Sequence, residues 1–137
     1  MNTLAVLLLA AAMTQAPATD KWDSATALYT FLHEGETVQI NIEHGHVSGY
    51  VTRKENGTQV DQKFESAVLE GDRLTWSTRP MHGTYFSFDG QISHDPNASK
   101  DKRGFYKIRG TVTTHKHGNA SEKQLTMQSL PESLQAQ

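Results

Sequence analysis

Seven histidines and no cysteine stand in this chain of 137 residues, and four of the histidines form two His-x-His pairs. His44-Gly45-His46 and His115-Lys116-His117 have the spacing that sets two imidazoles on one face of a β-strand. Such a pair can hold one Zn²⁺ or Cu²⁺ if further ligands join it, and His33, His82 and His94 are the candidates. The competing reading places both pairs at hairpin ends, where polar residues are simply solvated, and Gly45 interrupts strand geometry in the first pair. The lack of cysteine excludes disulfides, thiolate catalysis and Cys-ligated zinc.

Other chemistry finds less to work with. Asp95-Pro96-Asn97-Ala98-Ser99-Lys100-Asp101 alternates oxygen side chains as calcium loops do, yet Lys100 and Tyr106 stand where an EF-hand loop needs Gly and Glu. There is no nucleophile elbow, no His-Glu-x-x-His and no phosphate-cradling glycine loop. Glu34 and Glu36 flank Gly35 in an expected turn and read as solvated charges. No enzyme and no cofactor is expected. Asn56-Gly57-Thr58, Asn97-Ala98-Ser99 and Asn119-Ala120-Ser121 fit the glycosylation acceptor pattern, which in a bacterial chain is an accident of turn composition.

The elements that must position these residues are strands. From Ala25 onward the apolar period is two: Val38, Ile40, Ile42; Val47, Gly49, Val51; Leu74, Trp76, Thr78; Phe86, Phe88, Ile92; Tyr106, Ile108, Val112. Short Gly- or Asn-bearing breaks separate the runs at Gly35, Gly45, Asn56-Gly57, Gly71 and Gly118-Asn119. The pattern predicts eight strands, roughly residues 25–33, 36–43, 46–53, 60–69, 72–79, 83–94, 104–115 and 122–130, in an antiparallel meander. Phe86 to Ser93 and Tyr106 to Thr113 share an apolar rhythm and a central glycine. If they are neighbours in that alignment, Asp89 and Arg109 pair on the outer face. Long strands with internal glycines suit a curled sheet. The expected fold is therefore all-β: a small lipocalin- or avidin-like barrel, with a two-sheet sandwich as the alternative.

Residues 4–12 are uniformly apolar, too short to span a membrane but suited to the core of a secretory signal peptide. Ala16-Pro17-Ala18 offers a cleavage site, so residues 1–18 read as a signal peptide and 19–137 as a single β-barrel domain. The mature chain carries no second hydrophobic segment, and its expected place is the periplasm or the exterior. A net charge of −2 argues against a nucleic-acid partner. Barrels of this size are either filled by side chains or hold one small ligand. Trp76, Phe86, Phe88 and Tyr106 are the residues that would contact such a ligand.

The stretch Phe31 to Gln39, Val47-Ser48-Gly49-Tyr50-Val51 with Arg53, His82-Gly83 ahead of Phe86, Phe88 and Gly90, and then Tyr106 and Gly110 have a further meaning together. They resemble an uncharacterised family of small exported all-β proteins from environmental bacteria. The resemblance covers most of the mature chain and rests on scattered positions. It implies a bacterial source and an all-β fold, and it carries no activity. The chain departs from that pattern at residues 56–62.

The reading that these observations support is an exported, non-catalytic binding module. It would take a small apolar or aromatic ligand or an envelope partner. The alternative is a periplasmic metal-binding protein that uses the His-x-His pairs.

Overall fold

A computed structural model describes residues 21–131; the expected signal peptide lies outside the described residues. A 3-10 turn, Asp23–Ala25, leads into eight strands: β1 Ala27–Thr30, β2 Thr37–Glu43, β3 His46–Glu55, β4 Thr58–Glu70, β5 Arg73–Thr78, β6 Thr84–His94, β7 Tyr106–Lys116 and β8 Asn119–Gln128. They form one sheet in sequence order, every neighbouring pair antiparallel. The sheet curls into a half-barrel.

Turn chemistry explains the tight links. His44, Asn56, His82 and His117 have φ between 49° and 54°, and each is followed by a glycine with φ between 76° and 85°. A two-residue turn with both φ values positive matches the twist of the strands it joins. The β3–β4 strands therefore run right up to Asn56-Gly57, further than the alternation alone suggested. The last hairpin turns at His117-Gly118 rather than Gly118-Asn119, so β8 begins at Asn119, three positions before the expected residue 122.

Curvature comes from two devices. β4 has a bulge between Phe64 and Ser66, where it leaves β3 and takes β5 as its partner. On the neighbouring strands Gly90 and Gly110 lie directly opposite each other. The expected Asp89–Arg109 pair does not form. In the antiparallel register Asp89 faces Thr111 and Arg109 faces Gln91, and Asp89 instead accepts from Arg73 Nε and Nη2 on β5 at 3.0 and 2.7 Å.

The two ends of the sheet meet only briefly. Tyr29 bridges Ser129, Leu130 N–H donates to Leu28 carbonyl at 2.8 Å, and Gln128 N–H donates to Thr30 Oγ1 at 2.9 Å. β1 stops at Thr30, so β8 runs past it without a flanking strand among the described residues. Inside, Val38, Ile40, Val51, Leu74, Ile108, Val112 and Met127 are fully buried. Buried Tyr29 donates its hydroxyl to Ala25 carbonyl at 2.6 Å, and burial holds the phenol protonated far above its usual range.

Candidate functional site

The aromatic residues singled out by the alternation are core. Trp76, Phe86, Phe88 and Tyr106 are 2, 5, 3 and 8% exposed. Trp76 is stacked between Phe64 (4.7 Å, 15°) and Phe88 (5.5 Å, 22°), while Phe31 packs edge-on against Phe86 at 5.4 Å. Tyr106 stands apart from these three. It contacts Trp22 and Phe105, and its hydroxyl is 2.7 Å from Ser24 Oγ. Two concavities of the described residues are open depressions in the outer face of β6–β8. One, about 380 Å³, includes Ser87, Asp89, Thr111, Thr113 and Glu122; the other, about 390 Å³, includes Arg109, Gln124 and Thr126.

The meander sets the β2–β3 and β7–β8 turns at opposite ends of the sheet, which separates the two histidine pairs. His44 N–H and Gly45 N–H donate to the Asp23 carboxylate at 2.8 and 3.2 Å, and His46 is exposed beyond that turn. At the other end His115 stacks on Tyr85 (4.1 Å, 3°), and His117 lies against Gly83, where an added Cβ would sit 2.6 Å from its ring. Among the described residues no three metal-ligating side chains come together. In the 95–101 loop Asn97 N–H donates to Asp95 Oδ1 at 2.9 Å and Ser99 Oγ to Asp101 Oδ1 at 2.6 Å. The loop's carboxylates thus hold its own turns.

One pairing was not visible in the sequence: Ser87 Oγ lies 3.1 Å from His115 Nε2, a contact that exists only through the β6–β7 register. Nucleophilic work would also require a group orienting the second imidazole nitrogen and donors for an oxyanion. Among the described residues no side chain bonds His115 Nδ1, and the Phe86 N–H beside Ser87 is donated to Thr78 Oγ1 at 3.0 Å.

A buried polar cluster lies inside the half-barrel at the β3–β4 end. Arg53 points inward and is 9% exposed. Its Nε donates to Gln62 Oε1 at 2.6 Å, its Nη1 pairs with Glu55 Oε2 at 3.1 Å, and the guanidinium lies over Phe86 at 6.0 Å. Gln62 Nε2 donates to the carbonyls of Arg79 and Thr84, both at 2.9 Å, so one amide ties β4 to the β5–β6 link. Arg53 Nη2 is buried without an acceptor. A signal for this cluster existed: Arg53 continues the inward phase of Val47, Gly49 and Val51.

Glu55 also meets His82 Nδ1, at 3.0 and 3.1 Å. The His82 hydrogen bond holds the Glu55 carboxyl below its usual value, with a smaller contribution from Arg53. A depressed carboxylate stabilises the fold above its unfolded pKa and loses that contribution as pH falls through its folded pKa. His82→Ala is therefore expected to move Glu55 titration, followed by the side-chain carboxyl NMR signal, upward towards an ordinary glutamate. An unmoved titration would show that the contact carries no charge coupling.

The remaining feature is the free edge of β8. Comparison of the chain with protein-family models and with curated proteins finds no match.

Proposed function

We propose that this is an exported, non-catalytic binding module that acts on an envelope partner through its surface. Export rests on the apolar run at residues 4–12 and the Ala16-Pro17-Ala18 site that follows it. The observation that carries the mode of action is the filling of the half-barrel by its own aromatic side chains. With Phe64, Trp76 and Phe88 stacked face to face, a ligand in the interior would have to displace side chains that stabilise the fold by roughly 1.5–3 kcal/mol each.

Native and intact mass spectrometry of protein purified from the export compartment of its host, without chelator, tests this reading. The expected result is a chain beginning at Thr19 with no bound small molecule. A co-purifying aromatic compound would replace the surface reading with an enclosed-ligand one. A metal adduct lost on His46→Ala or His117→Ala would replace it with metal binding. A chain still carrying Met1 would remove the assignment of a cleaved signal peptide.

A further inference from the structure

We propose that the β8 edge accepts an extended peptide strand carrying an acidic side chain, an inference that rests on the surface reading above. The geometry follows from alternation along an antiparallel ladder. Ser129 N–H donates to Tyr106 carbonyl on the β7 side, whereas the N–H groups of Gln128 and Leu130 donate to β1. Even-numbered residues of β8 therefore turn their peptide groups away from β7. For Ala120, Glu122, Gln124 and Thr126 no strand of the described residues stands on that side, because β1 ends at Thr30. Residues 119–124 are all exposed. An extended chain laid along this edge would complete the ladder.

Side chains state which chain it is. On the inner face Lys123 follows Leu125 and buried Met127 and stands across from buried Val112. No ion pair among the described residues engages Lys123. On the outer face stands Glu122. A charge pointing inward on an edge strand opposes pairing with an uncharged or like-charged strand. A second copy of this chain meets that obstacle. In any two-fold antiparallel pairing of β8 with itself, odd residues face odd and even face even. Lys123 then meets Lys123, Ser121, Leu125 or another uncharged residue, and never Glu122. The partner that fits places an acid opposite Lys123, an apolar residue opposite Leu125 and a base opposite Glu122.

The probe is the peptide acetyl-Thr-Val-Thr-Glu-Lys-Thr-Thr-amide, which sets those groups in place when antiparallel to β8. The control, Thr-Val-Thr-Lys-Glu-Thr-Thr, has the same composition and opposes like charges on both faces. Amide hydrogen exchange is read by NMR on the full mature chain. In the free protein Glu122, Gln124 and Thr126 are expected to exchange fast while Lys123 and Leu125, bonded to β7, exchange slowly. At about 1 mM the first peptide should slow the outward set by about tenfold and the control should not. Lys123→Glu, a surface change, should weaken the first peptide and relieve the repulsion that Lys123 sets against the control. Outward amides already slow in the free protein would mean that the edge is covered. Equal effects of both peptides, or none from either, would dismiss the acidic partner. Self-association that protects these amides would make a second copy the occupant. All of these leave the surface reading standing; a co-purified interior ligand removes that reading without deciding the edge.

Discussion

Gly110→Val is expected to destabilise the protein by about 3 kcal/mol or more, a large share of the roughly 5–15 kcal/mol available to a domain of this kind. A Cβ on Gly110 would collide with Asp89 carbonyl oxygen and stand 2.5 Å from Gly90 Cα. Both obstacles are backbone of the neighbouring strand, held by the β6–β7 ladder, so no rotamer change relieves them. Gly90 is confined likewise: its Cβ would lie 2.5 Å from Phe88 Cζ, and Phe88 cannot retreat because it is stacked on Trp76. The pair marks a place where the β6 and β7 backbones leave no room for a Cβ. Gly57→Ala is the useful contrast. Nothing lies within 4 Å of a Cβ there, but φ is +82°, so the cost is the left-handed strain of about 1 kcal/mol. Urea midpoints of the two variants measure the difference. A Gly110→Val protein within about 1 kcal/mol of the parent would mean that the strands separate easily at this point.

Strands such as β2, β5 and β6 were legible because each buries one face. Val38, Ile40 and Ile42 repeat at period two for the same reason that they are buried. What period cannot express is register. The likeness between Phe86 to Ser93 and Tyr106 to Thr113 runs in one direction along the chain, but antiparallel neighbours run in opposite directions. The two glycines meet and the residues around them do not correspond, so Asp89 finds Arg73 instead of Arg109. Strand length at the seam was equally hidden. The sequence around Phe31 and Leu32 is as apolar as a strand, yet the chain turns there with Gly35 at φ +89°, and β1 is four residues long. The free β8 edge is a consequence of that early turn. Lys123 could have been placed from its phase with Leu125 and Met127, but only the missing neighbour gives its inward charge a meaning. The histidine pairs show the converse. Their local spacing was real, while the parity of the meander, which sends alternate turns to opposite ends, decides that they do not meet.

Gln62→Leu should cost about 3 kcal/mol, and the part of that cost borne by Arg53 should be recovered when Arg53→Met is added. Leucine fills nearly the same volume, so the loss is electrostatic. The Arg53 guanidinium, buried and already short of an acceptor at Nη2, would also lose the 2.6 Å acceptor of its Nε. The carbonyls of Arg79 and Thr84 would lose a donor at the same time. Removing one partner of a buried charge leaves its desolvation uncompensated, whereas replacing both by apolar groups removes the charge itself. The double variant is therefore expected to be more stable than Gln62→Leu alone, with Glu55 still held by His82. A double variant whose cost equals the sum of the singles would mean that Arg53 and Gln62 are not energetically coupled. The distinction bears on function. If the Arg53–Gln62 pair couples in this way, it is a clamp that closes the β3–β4 end of a filled half-barrel. Loss of binding after a change at Arg53 would then report on the fold, and the search for a contact surface belongs on the outer face and the β8 edge.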